Sequence, residues 1–116
     1  YDNWNSHHIA PQLVDMGIEL TEFRQGFKSM NAPTKELEAA ILSKNFEHYG
    51  NPVLRWMAGN AEVMTDPASN VKIIKDRHRP EKKVDGIISN VMAFGLWLDE
   101  PDTFGSYLQE GNLSII

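Results

Sequence analysis

Two aspartates carry the sharpest chemical suggestion in this chain. Asp2 follows Tyr1 and stands immediately before a helix signal, at the kind of strand-to-helix edge where open α/β sheets gather their ligands. Its side chain is equally suited to capping that helix. Asp85 lies in the first turns of the last and best helix signal, with Gly86 beside it and Ser89 one turn on. Small neighbours let a metal ion and a phosphate come close. An acid near a helix N-terminus is also favoured by about 0.3 to 1 kcal/mol without any ligand, so the residue pattern alone leaves both readings open.

Cationic side chains are concentrated in one segment. Between positions 72 and 83 lie Lys72, Lys75, Arg77, Arg79, Lys82 and Lys83, six of the eleven Lys and Arg residues, opposed there only by Asp76 and Glu81. The segment is locally about +4 in a chain of formal net charge −5. An acidic whole excludes a surface that binds nucleic acid everywhere, and such a run is either a solvated face or a phosphate-facing one. Lys82 and Lys83 come just before Asp85, where a cation could position a substrate backbone. Arg77 and Arg79 belong to the same run. Arg55 sits in an apolar helix signal, where a guanidinium must find a carboxylate or a phosphate.

Other chemistries are absent by pattern. His7 and His8 are adjacent while His48 and His78 are far off, so neither H-x3-H nor H-E-x-x-H zinc spacing occurs. There is no G-x-S-x-G, no P-loop and no G-x-G-x-x-G. With no cysteine, a disulfide framework and a thiolate zinc site are both excluded. Trp4, Trp56 and Trp97 stand among apolar neighbours and are expected in the core rather than as base-stacking platforms.

The elements that must position these residues follow from turn signals and periodicity. At 116 residues, 41% hydrophobic and 23% charged, the chain is one domain's worth of protein or a piece of a larger one. No apolar run approaches the ~20 residues that cross a bilayer, residues 1–5 lack the basic and apolar regions of a secretory signal, and an intracellular location is expected. The N-terminus, without an initiator Met, reads as the cut edge of a longer protein. Asn5 or Ser6 predicts a helix carrying Ile9, Leu13, Val14 and Met16 and stopping at Gly17, with Pro11 demanding a late start near His8 or a kink. Residues 18–23 begin with the alternation of a half-buried strand. Asn31-Ala32-Pro33 predicts a second helix start, with Leu37, Ala40 and Ile41 on one face, and Asn51-Pro52 a third. Two short β-type runs joined by Asp66-Pro67-Ala68-Ser69-Asn70 predict a hairpin. After Pro80 the core-facing spacing of Val84, Ile87, Ile88, Val91, Phe94 and Leu98 predicts a helix over residues 81–98. Residues 99–116 read as a C-terminal tail.

In this order the pieces resemble the nuclease half of the tailed-bacteriophage terminase large subunit, in the lineage where a Tyr-Asp-x-Trp-Asn block opens the second half of a ribonuclease H-like domain. Tyr1-Asp2-Asn3-Trp4-Asn5 matches that block. Further matches are Gln25-Gly26-Phe27 with Ser29-Met30, Ala32-Pro33-Thr34-Lys35-Glu36-Leu37-Glu38, the stretch 51–60, and Lys83-Val84-Asp85-Gly86-Ile87. The similarity covers residues 1–98. Ser106-Tyr107-Leu108-Gln109-Glu110-Gly111 is similar to the family's C-terminus.

The resemblance implies an α/β fold, the C-terminal part of the nuclease domain, with about four helices, a small sheet and a β-hairpin. It implies a magnesium- or manganese-dependent endonuclease that cuts concatemeric double-stranded DNA during genome packaging. Asp2 and Asp85 would be catalytic metal ligands, with Lys82, Lys83, Arg77, Arg79 and Arg55 toward DNA. The ATPase motor and the first metal-binding Asp would lie outside this chain, which alone would be inactive. Two metals about 3.5 to 4 Å apart can activate water and stabilise a leaving oxygen. Expected partners are DNA, the portal protein and the small terminase subunit, in the host cytoplasm at the packaging motor. An exposed strand edge would permit a homo-oligomer. The competing readings are a docking module for portal or small subunit, and another ribonuclease H-like DNA enzyme such as a transposase or resolvase.

Overall fold

A computed structural model describes residues 1–99, which form four helices and one two-stranded antiparallel sheet. The expected α/β class and the hairpin between the third and fourth helices are both present. The tail expected at 99–116 lies, beyond Asp99, outside the described residues. Among the described residues no helix is long and apolar enough to cross a membrane.

Helix α1 (Ile9–Asp15) begins after His8, as the proline requires. Pro11 occupies the third helical position, where a backbone donor has no intrahelical acceptor to lose. Gly17, at φ +81°, provides the left-handed stop. Residues 18–23 form no strand of the sheet, contrary to their alternation. Their backbone is used differently: the Tyr1 nitrogen donates to the Thr21 carbonyl, and Phe23 N donates to the Tyr1 carbonyl at 2.7 Å. Those two bonds embrace Glu22 in the pattern of a parallel pair, only one residue long.

Helix α2 (Phe27–Leu42) starts four residues before Asn31, with extended Gly26 as its N-cap. Pro33 therefore falls inside the helix. Its lost hydrogen bond is offset by burial of the ring on the face that carries Met30, Thr34 and Leu37. Asn31 does not cap a helix; its Oδ1 accepts from Val71 N at 3.0 Å and ties α2 to the hairpin. Ile41, expected on the core face, is 50% exposed.

Helix α3 (Pro52–Asn60) has the expected start, since Asn51 Oδ1 accepts from Val53 N at 3.0 Å and Leu54 N at 3.1 Å. Strands β1 (Glu62–Thr65) and β2 (Val71–Ile74) pair with Val63 opposite Ile73. Their turn is organised by Asp66, which accepts from the backbone of Ala68 and Asn70 and from the Asn70 side chain. Helix α4 (Asp85–Asp99) begins four residues later than its apolar period predicts. The residues ahead of it are held in turns, with Lys82 N donating to the Arg79 carbonyl at 3.0 Å.

The core is a seam between α2 and α4. Ile87, Val91 and Gly95 follow one another at four-residue steps on α4; Ile87 and Val91 cluster with Met30 and Leu37, and Phe23, set against Gly95, closes one end. None of the tryptophans is in it. Trp4, Trp56 and Trp97 are 80%, 48% and 43% exposed, and Trp97 lies edge-on to Phe94 at the rim. The buried cluster is made of Phe23, Met30, Leu37, Ile87 and Val91 instead.

Two expectations test this account. A Cβ at Gly95 would stand 2.2 Å from Cε2 and 2.4 Å from Cζ of Phe23. Gly95→Ala should therefore destabilise by about 1 to 3 kcal/mol in urea titrations, despite the roughly 1 kcal/mol that alanine gains in helix propensity. Equal or higher stability would mean that the Phe23 ring moves aside freely. The turn carboxylate titrates with the fold: the Asn70 side-chain amide, with the Asn70 and Ala68 backbone amides, holds Asp66 below its ordinary value of 3.8, against an opposing effect of burial. A depressed folded pKa stabilises above the unfolded value, and that stability is lost as pH falls through the folded one. Asp66→Asn should melt below the parent protein at neutral pH, with the gap narrowing as pH falls below the ordinary carboxylate value; a gap of constant size across that range would contradict it.

Candidate functional site

Asp2 and Asp85 come from opposite ends of the described chain and line one cleft of about 660 Å³. Asp2 is aimed by its neighbours on both sides. Tyr1 is fixed against Thr21 and Phe23, Ser6 Oγ donates to the Asp2 carbonyl, and the Asn3 side chain donates to Glu22 at 2.8 Å. The Asp2 carboxylate accepts from Trp4 N at 3.3 Å, in a turn that leaves it half-buried. It does not cap α1: that helix starts at Ile9, and its N-cap residue, His8, offers no side-chain bond.

Asp85 is the first residue of α4 and is exposed. Val84 before it is buried, and its carbonyl accepts from Ile87 N and Ile88 N at 2.9 and 3.0 Å. Ser89 Oγ donates to the Asp85 carbonyl at 2.9 Å, which leaves the carboxylate uninvolved in that bond. Gly86 is small for a reason other than ligand access. A Cβ there would meet Met57 Sδ at 2.9 Å and Leu54 Cδ1 at 3.2 Å, so the glycine lets α3 close on the first turn of α4.

The basic run disperses over several environments. Lys72 lies over the Phe27 ring at 4.6 Å from its centroid. Arg79 pairs with Asp76 at 3.8 Å. Lys75 and Arg77, two residues apart just beyond β2, line the same cleft as the two aspartates. Of the five cations singled out in the sequence, Arg77 alone lines that cleft; Lys82, Lys83, Arg79 and Arg55 lie outside its lining. Arg55 is exposed on α3 and therefore needs no buried partner. Lys75 was named in the sequence as a member of the basic run but not singled out within it. Gln25, on the opposite wall, was missed; its Nε2 donates to Met92 Sδ at 3.5 Å.

The cleft thus presents two carboxylates beside an ammonium and a guanidinium. All-oxygen donors suit a hard divalent cation. Among the described residues there is no group of three or more His, Cys, Asp or Glu side chains that could hold a metal ion.

Comparison with known proteins shows the family of the chain. The description terminase large subunit, endonuclease domain, matches residues 1–100. The chain belongs to this family. It is 31% identical over 97 residues to the terminase large subunit of Enterobacteria phage HK97, covering 82% of this chain and 19% of that protein. It is 30% identical over 110 residues to protein YmfN of Escherichia coli (strain K12), covering 93% of this chain and 24% of that protein. The crystal structure of the HK97 large terminase superimposes with a TM-score of 0.70 at 32% identity, over 83% of this chain and 20% of that one. The terminase nuclease chain therefore spans a quarter or less of the length of these relatives.

Proposed function

We propose that this terminase nuclease segment supplies two ligands, Asp2 and Asp85, to a divalent-metal site that cuts double-stranded DNA during genome packaging. The observation that carries the proposal is the convergence of both aspartates on one cleft edged by Lys75 and Arg77. The remaining ligands and the ATPase motor come from parts of the large subunit outside this chain, which accounts for only a fifth to a quarter of its relatives. When bound, Mg²⁺ or Mn²⁺ supplies activation of water and neutralisation of charge on the leaving oxygen. Asp2 and Asp85 hold the ion by oxygen, while Lys75 and Arg77 hold the phosphates that flank the cut. Without an ion, carboxylates gathered at one site repel, which disfavours closing it. The chain by itself therefore binds metal weakly and does not cleave.

A second reading is favoured by a separate feature. An apolar groove of about 610 Å³ runs between α2 and α4, lined by Ala39, Ala40, Ala93, Phe94 and Trp97, away from both aspartates. It suits docking onto the portal protein or the small terminase subunit, a role compatible with cleavage.

In the intact large subunit, Asp2→Ala and Asp85→Ala should each bring plasmid cleavage to background while ATP hydrolysis persists. The 116-residue chain alone should leave plasmid intact with Mg²⁺; nicking by it that disappears on Asp85→Ala would contradict the shared site. Each phosphate contact changes the slope of log affinity against log salt by about 0.9. Replacing Lys75 and Arg77 together by alanine should flatten that slope by about 2 in fluorescence anisotropy with duplex DNA. A larger loss from the Lys82 and Lys83 pair would move the DNA path away from the cleft.

A further inference from the structure

Asp85 lies between two backbone positions, 83 and 86, that helix α3 grips. On one side, the Lys83 carbonyl accepts a hydrogen bond from Asn60 Nδ2 at 3.0 Å across 23 residues of chain. On the other, Gly86 N donates to Met57 Sδ at 3.1 Å, and the absence of a Cβ lets Met57 and Leu54 press against that backbone. Asn60 is the last residue of α3 and is only 9% exposed, an uncommon place for a carboxamide. A buried amide in that position is costly unless it is used, and the bond to Lys83 is its use.

We propose that Asn60 is a positioning residue for Asp85. This rests on the reading of Asp85 as a metal ligand. The carboxylate lies at the start of a helix, where the chain enters from exposed turns and the helical bonds that would fix it have only begun. Val84 is anchored by burial, and residues 83 and 86 by α3, so the rotation of the Asp85 backbone is set from both sides. Ligand sets bind an ion tightly only when the groups behind them hold their direction, and loss of such a group costs about 10- to 100-fold in metal affinity. Asn60 acts through the backbone, touching neither metal nor substrate.

The test uses the 116-residue chain and Mn²⁺, whose paramagnetism broadens nearby amide signals even when binding is weak. The midpoint of broadening at Asp2, Asp85 and Ser89 is compared among variants that retain a dispersed spectrum. Asn60→Ala should raise that midpoint about 10-fold or more. Asn60→Asp keeps the side-chain shape and removes the donor, and it should do the same; it reads the interaction if the alanine variant does not fold. Asn51→Ala removes the N-cap of the same helix without touching Lys83, and it should leave the midpoint within about twofold, well short of the loss typical of a supporting contact. An unchanged midpoint in folded Asn60→Asp, or an equal rise in Asn51→Ala, overturns the positioning role. If Asp85→Ala itself leaves the midpoint unchanged, the metal reading fails first, and the role of Asn60 falls with it.

Discussion

Everything in this domain hangs on the contact between α2 and α4. Met30 is 1% exposed and Val91 not at all, and around them Leu37, Ile87 and Phe23 complete the only cluster of buried apolar side chains among the described residues. Each such side chain contributes about 1.5 to 3 kcal/mol on burial, in a fold whose net stability is a small difference between large terms. The seam also distributes position. On its α2 side Asn31 holds the hairpin through Val71, and on its α4 side Gly86 receives α3. The hairpin and α4, which supply much of the aspartate cleft's lining, are therefore both joined to one helix pair.

Local chemistry made some elements legible and hid others. Asn51-Pro52 combines a side-chain cap with a residue that tolerates the first helical turn, so its meaning is decided within four residues. The hairpin is decided as locally, by the bonds that Asp66 makes inside its own turn. Asn31-Ala32-Pro33 carries nearly the same signal and means something else. There the asparagine bonds 40 residues away and the proline is tolerated mid-helix because its ring is buried on the α4-facing side. Tertiary packing outweighed the local preference. The alternation at residues 18–23 failed for a related reason: strand character is realised only where a partner exists, and here the partner extends over Tyr1 alone. The tryptophans were misjudged because size and apolarity do not decide which apolar side chains the seam takes in.

The aspartates could be singled out in the sequence because each stands at a junction, one ahead of a helix and one opening a helix. Their convergence could not, since it depends on the path of the 82 residues between them. The basic run shows the limit from the other side. Six nearby cations read as one patch, yet one is over an aromatic ring, one is paired with Asp76, and two turn to the cleft. Sequence proximity favoured Lys82 and Lys83, while it is Lys75 and Arg77, in the segment that follows β2, that line the cleft with the acids.

If the proposed function holds, that placement bears on how an acidic protein would serve a polyanionic substrate. The chain carries a formal charge of −5, and at physiological salt a charge is felt over only about 8 Å. Acids away from the cleft, such as Glu36 and Glu38 on α2, would be screened from a duplex there, whereas Lys75 and Arg77 would not. Asp2 and Asp85 by themselves would repel a phosphate at the same short range. A divalent ion reverses the sign of that repulsion, because it neutralises both carboxylates and leaves the two cations unopposed. On the proposed function, then, metal and DNA bind cooperatively: each removes the electrostatic objection to the other, and neither is held well alone.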